Sequence, residues 1–170
     1  DSGTAQLSQD LQSLAGKILR LNPDGTIPAD NPFPGSPVYS YGNRNPEGLA
    51  WQPRTGILFS TEHSSSAHDE LNIIKAGGNY GWPGVRGKET GPGFISPLIE
   101  SGEDTWAPSG MTFYRGAAFP QWQGNLFFGA LRGEHLHRVV LSGQEVVLEE
   151  KLFQGEPGRL RDVIEGPDGL

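Results

Sequence analysis

Apolar residues along this chain fall in short runs separated by polar turns. Residues 1–15 are polar, with Leu7, Leu11 and Leu14 at the spacing of a helix face, which predicts a weak helix or an ordered loop. Gly16-Lys17-Ile18-Leu19-Arg20-Leu21 alternates apolar and basic residues and reads as a strand. Asn22-Pro23-Asp24-Gly25 is a turn, because Pro presets φ and Gly tolerates a positive φ. Pro28, Pro32, Pro34 and Pro37 exclude a helix over residues 27–37. Val38-Tyr39-Ser40-Tyr41 is a short strand that runs into the polar turn Gly42-Asn43-Arg44-Asn45-Pro46-Glu47-Gly48.

From there the pattern repeats. Strands are predicted over residues 48–51, 57–62 and 70–75, with turns between them. The same order returns at 110–114, 124–129, 135–141 and 145–148, and a third copy opens at 161–164. The copies start near 49, 111 and 163. Three or four short antiparallel strands per repeat at this period is the signature of propeller blades. A β-sandwich also alternates and turns often. The recurring order of strand, turn, strand, loop and strand favours the propeller. The expected fold is therefore all-β, with residues 1–170 forming two to three blades. A closed propeller needs at least four blades, so the chain is expected to be one part of a larger polypeptide.

Composition agrees. Gly 25 and Pro 14 among 170 residues are enough for many turns, and short of the level of disordered chains. The net charge of -7 argues against nucleic acid or an anionic membrane surface as a partner. There is no cysteine, hence neither a disulfide frame nor thiol chemistry. No apolar run reaches membrane-spanning length. The polar start Asp1-Ser2-Gly3-Thr4 lacks an initiator Met and reads as a processed or excised end.

The candidate chemistry lies in the loops. Arg44, Arg132, Arg159 and Arg161 stand in loops of successive repeats, and an acidic protein that gathers arginines there builds a local anion site. Guanidinium groups pair bidentately with carboxylates, so a polycarboxylate suits them. Taken singly, each Arg also fits a surface ion pair worth about 0–1 kcal/mol. The loop from Glu62 to Glu70 offers hard oxygen atoms suited to Ca²⁺. His63 and His68 lack the third ligand that zinc needs. His135 and His137 share a strand face and read first as ordinary strand histidines. No Gly-x-Ser-x-Gly, P-loop or dinucleotide fingerprint occurs.

Several separate motifs stand in one family's order. They are the segment 16–25, Gly42-Asn43-Arg44-Asn45-Pro46-Glu47-Gly48-Leu49-Ala50, Asp69-Glu70-Leu71-Asn72, Gly77-Gly78-Asn79-Tyr80-Gly81-Trp82-Pro83, Ala107-Pro108-Ser109-Gly110-Met111 and Arg159-Leu160-Arg161-Asp162-Val163. The chain resembles the soluble PQQ-dependent sugar dehydrogenases, the glucose/sorbosone (aldose sugar) dehydrogenase family. The resemblance implies a six-bladed β-propeller made of four-stranded antiparallel blades. It also implies oxidation of an aldose sugar at C1 to the lactone, with hydride passed to pyrroloquinoline quinone (PQQ), use of Ca²⁺, an external electron acceptor, and a periplasmic or secreted location.

The resemblance assigns roles as well. Arg44 matches the Arg that contacts the quinone, with Asn45 beside it. Arg159 and Arg161 match the pair on the cofactor carboxylates. Arg132 stands where a Lys is common, a swap that keeps charge and changes geometry. Thr105 and Trp106 lie in the loop that covers the cofactor. Two backbone carbonyls, usually of Gly-Pro, hold the catalytic Ca²⁺, and here those positions read Ser64-Ser65. Asp69, Glu70 and Tyr80 match a region that binds further, structural Ca²⁺ in some members. The family's general-base His lies in a segment upstream of the Gly16 strand that these residues do not include. The alternative reading is a non-catalytic propeller that binds carbohydrate or protein.

Overall fold

In the computed structural model, which describes residues 3–170, the alternation resolves into ten strands and two short 3-10 turns. Strands β1 (Lys17–Leu19) and β2 (Val38–Tyr41) form an antiparallel pair. Strands β3 (Pro46–Trp51), β4 (Leu58–Glu62), β5 (Glu70–Ile74) and β6 (Ile99–Glu100) form one four-stranded sheet in chain order. Strands β7 (Pro108–Phe113), β8 (Leu126–Ala130), β9 (His135–Ser142) and β10 (Glu145–Leu152) form a second, again in chain order. Every pairing within these sheets is antiparallel. The architecture is all-β, part of a β-propeller of four-stranded antiparallel blades.

Three expectations change. The helix face over residues 1–15 reduces to a 3-10 turn at Ala5–Ser8, and Asp1 and Ser2 lie outside the described residues. Leu14 is exposed, so the apolar spacing had no surface to pack on. β6 was not expected, because two residues carry no periodicity. Residues 161–164 form no strand; they run alongside β7, where Gly110 N donates to Arg161 O at 3.1 Å.

Alternation sorts the sheet faces. Phe59 and Leu71 join Met111, Phe113, Leu126, Phe128 and Val139 in the main core between the two sheets. The rings of Phe59 and Phe113 meet edge to face, with centroids 5.3 Å apart. Burying each such side chain contributes about 1.5–3 kcal/mol. On the opposite face, Leu58 and Ile74 pack with Ile18 and Tyr80. Both faces of β4 are thus covered, and all five of its residues are buried.

The blades join at their first strands. The hydroxyl of Thr61 accepts from Gly48 N at 2.9 Å and donates to Ser109 O at 2.8 Å. A Cβ on Gly48 would sit 2.6 Å from that same Ser109 oxygen, so β3 and β7 approach this closely only because Gly48 has no side chain.

Candidate functional site

Strand register places the candidate loops together. Pro46, Glu62, Glu70 and Glu100 are successive partners at one end of the first sheet. Pro108, Ala130 and His135 are partners at one end of the second. The loops carrying Arg44, Ser64–Ser65, Thr105–Trp106 and Arg132 leave from these ends.

Asp69 ties them to one another. Its Oδ1 lies 2.8 Å from His63 Nδ1 and accepts from Ser64 N at 2.8 Å. Its Oδ2 accepts from Trp106 N at 2.7 Å and Ala107 N at 2.8 Å. Burial works against its ionised form, yet the His63 bond and the backbone donors outweigh it and hold the carboxyl below the ordinary range. On one side the link continues to Arg44, whose Nη1 donates to His63 O at 2.7 Å and whose guanidinium lies 5.9 Å from the Trp82 ring centroid. On the other, Trp106 O accepts from Arg132 N at 2.9 Å and Gly133 N at 3.0 Å. A hydrogen-bonded path thus joins Arg44 to the Arg132 loop through His63, Asp69 and Trp106. Asn45 lies within it: its carbonyl accepts from His63 N at 3.0 Å, and its amide donates to Glu47 at 2.6 Å.

A cleft of about 470 Å³ opens beside Trp106, with Thr105, Arg132, His135 and Lys151 among its lining residues. Thr105 Oγ1 donates to Ser66 O and fixes the near lip. Lys151 Nζ stands 5.8 Å from the Trp106 ring centroid and 3.4 Å from Asp104. The indole Nε1 of Trp106 is buried and has no hydrogen-bond partner. An unpaired buried donor beside an Arg and a Lys suits an anionic, acceptor-rich ligand. Arg159 and Arg161 are exposed and do not line this cleft. Their segment runs past the start of β7, with Ser109 Oγ donating to Leu160 O at 2.9 Å.

Asp69, Glu70 and Tyr80, expected near a structural Ca²⁺, each make protein hydrogen bonds. Both carboxylate oxygens of Asp69 face the donors above. Glu70 accepts from Asn72 Nδ2 at 2.9 Å and Gly87 N at 2.8 Å. The Tyr80 hydroxyl lies at the far end of β5, donating to Ile73 O at 2.6 Å and accepting from Lys75 N at 2.9 Å. Among the described residues, no group of three or more His, Asp or Glu could hold a metal ion. Ser64 is buried and Ser65 exposed. A cation there would rest on main-chain carbonyls.

Sequence reasoning read Glu62 only as a loop oxygen donor and missed its burial against the Arg44 turn. Glu62 is 4% exposed, and its Oε1 accepts from Arg44 N at 2.6 Å. Burial first, with Glu70 opposite it on β5, pushes its carboxyl up to about 8. Burial likewise pushes Glu70 up to about 7. Nothing in the local sequence marks Glu62 as buried; the signal lies in the register that sets it across from Glu70.

The scaffold is all-β, part of a β-propeller, and Arg132 lines a cleft beside Trp106 at one loop end. The chain matches the Glucose / Sorbosone dehydrogenase family over residues 1–170 and belongs to it. It is similar to the aldose sugar dehydrogenase YliI of Escherichia coli, 38% identical over 179 residues, covering 95% of this chain and 48% of that protein. It is also similar to the PQQ-bound aldose sugar dehydrogenase of Streptomyces coelicolor, 46% identical with a TM-score of 0.85, covering 95% of this chain and 46% of that one. The apo soluble aldose sugar dehydrogenase of Escherichia coli gives a TM-score of 0.89 at 37% identity, covering 98% of this chain and 53% of that one. The chain spans about half the length of these relatives. No helix among the described residues is long and apolar enough to cross a membrane.

Proposed function

We propose that residues 1–170 are two blades and the opening of a third in a PQQ-dependent aldose sugar dehydrogenase, and that they supply much of its cofactor site. The observation that carries this reading is the hydrogen-bonded path from Arg44 through His63, Asp69 and Trp106 to Arg132, in a chain of this family.

When bound, PQQ supplies the oxidant for the C1 alcohol of an aldose, which leaves as the lactone. Arg44, oriented by the His63 carbonyl, would face the ligand and favour negative charge there. Asn45 would flank it. Arg132 would pair with a carboxylate from within the cleft and Arg159 and Arg161 from the segment outside it, and Thr105 and Trp106 would cover the ligand. Ca²⁺ would be held by the carbonyls of Ser64 and Ser65 together with the ligand itself. The base that takes the C1 proton is proposed to come from outside these residues. The remaining blades, the sugar, an external electron acceptor and a periplasmic or secreted location belong to the same proposal.

The experiment is titration of PQQ with Ca²⁺ into the intact protein, followed by absorbance and by sugar-dependent dye reduction. Binding with turnover is expected; neither would leave a scaffold that binds carbohydrate or protein. Arg44→Ala should lower kcat roughly 10²–10³-fold and weaken cofactor binding much less. Equal losses in the two would remove Arg44 from the transition state.

A further inference from the structure

Arg44 rests on a third support besides Glu62 and the His63 carbonyl. Its guanidinium lies over the half-buried ring of Trp82, from the loop after β5, with 5.9 Å between Cζ and the ring centroid. An indole face attracts a guanidinium through its quadrupole, so the placing of Trp82 bears on Arg44. What fixes Trp82 is the end of the first 3-10 turn, at Ser8 and Gln9.

The bonds there determine one another. Gln9 Nε2 donates to Trp82 O at 2.6 Å and to Asn79 Oδ1 at 3.0 Å. Asn79 Nδ2 donates back to Gln9 Oε1 at 2.8 Å, and Asn79 Oδ1 also accepts from Gly81 N at 2.9 Å. Trp82 O can only accept and Gly81 N can only donate, so both side-chain amides have a single orientation. Trp82 N donates to Gly42 O, and Gly42 N donates to Ser8 O, each at 2.9 Å. These bonds close a ring through Ser8 and Gln9, Trp82 and Gly42, and Gly42 stands two residues before Arg44. Gly42 permits the close approach. Its φ is +73°, and a Cβ there would meet Gln9 Nε2 and Gly81 N at 2.8 Å each. Lys17 Nζ braces the turn from behind, donating to Leu7 O, Ser8 O and Ala15 O at 2.8, 2.9 and 2.7 Å.

We propose that Gln9 and Trp82 are positioning residues for Arg44: the Gln9 amide locks the Trp82 main chain against the Gly42 turn, and the Trp82 ring holds the Arg44 guanidinium in place. The backbone of the Arg44 turn and the Arg44 side chain thus meet the same ring of bonds, one through Gly42 and the other through the indole. A guanidinium held at one edge by His63 O and over an indole keeps little rotamer freedom, so its remaining donors are pre-organised for an anion. The consequence for turnover rests on the cofactor reading above; the positioning itself does not.

The test uses the intact, ¹⁵N-labelled protein without cofactor. The Arg44 Nε–Hε resonance is identified by its loss in Arg44→Lys. Gln9→Met keeps the volume and removes the amide that holds Trp82. The Arg44 resonance should then move, and its exchange with water should accelerate about fivefold, the size expected for losing one hydrogen bond. An unmoved resonance with unchanged exchange overturns the proposal. Trp82→Leu should accelerate the same exchange about fivefold, whereas Trp82→Phe, which keeps a π face, should do so less than about twofold; equal acceleration in the two also overturns it. If Gln9→Met fails to fold, the Trp82 pair decides alone. Turnover with PQQ is the separate arm. Gln9→Met and Trp82→Leu should each lower kcat about fivefold with the sugar KM within about twofold, and Trp82→Phe should restore most of the loss. An unchanged kcat in both variants of a protein that turns over removes the positioning role. If the unmutated protein shows no turnover with PQQ, the cofactor reading falls, while the Arg44 resonance still decides the positioning.

Discussion

At the scale of single residues, three buried carboxylates divide into opposite kinds. Asp69 is ionised and organises three loops through N–H donors. Asp69→Ala would strand the main-chain donors of Ser64, Trp106 and Ala107, at a cost of about 3–5 kcal/mol. Chemical denaturation should read that loss, and a change under about 1 kcal/mol would mean that the loops hold without it. Glu62 and Glu70 are raised, so the folded state binds protons that the unfolded state gives up above 4.5. Stability from this pair is fully present below that value and falls as pH rises toward about 8. Glu62→Gln keeps an oxygen for Arg44 N and removes one titrating group. Its melting temperature should therefore fall less than that of the unmutated protein between pH 5 and about 9; parallel curves would place the titration elsewhere. These roles were only partly legible in the sequence. The Arg44 turn stands out through its Gly and Pro punctuation, and the Trp106 loop through its motif. That Asp69 faces four donors, or that Glu62 faces Glu70, depends on partners brought from distant segments.

At the scale of elements, the seam between β3 and β7 tests the blade arrangement. Gly48 gives β3 room against Ser109 O, and a Cβ there would also meet Thr61 Oγ1 at 2.9 Å. The obstacle is main chain and cannot rotate away. Gly48→Ala should therefore destabilise by about 1–3 kcal/mol, the usual cost of overpacking, and denaturant titration reads it; a neutral result would mean that the strands slide apart freely. Gly110 repeats the arrangement one blade on, where a Cβ would run into Asp162. Residues 159–163 thus take toward β7 the place that Ser109 takes toward β3, although they form no strand. The sequence showed β3, β4, β5, β7, β8 and β9 because alternation and Gly-bearing turns bound each of them. It underestimated β10, which runs to Leu152 through exposed Glu149 and Lys151, because an outer strand carries little apolar signal. It overestimated the strand at 161–164, where the alternation is real and no ladder forms.

At the scale of the whole molecule, the surface that most needs explaining is apolar and open. Leu49 is 45% exposed and Trp51 57%, and both line a groove of about 360 Å³ that continues along Ile18, Leu19 and Leu21 of the β1 segment. Soluble monomers seldom leave such contiguous apolar patches uncovered. β1 and β2 form a pair where the other two sheets have four strands, and the groove lies between that pair and β3. The relatives are about twice as long as these residues, and propeller closure sets each first strand against a neighbouring blade. In the full-length protein, further strands should therefore cover Leu49 and Trp51. Acrylamide quenching can read this directly if Trp51→Phe serves to subtract the other three tryptophans. Trp51 should be shielded and blue-emitting in the full-length protein, and quenched like a surface indole in the 170-residue piece. Equal quenching in both would mean that no blade packs against β3, and the axis on which the arginine loops are proposed to meet would lose its closing half.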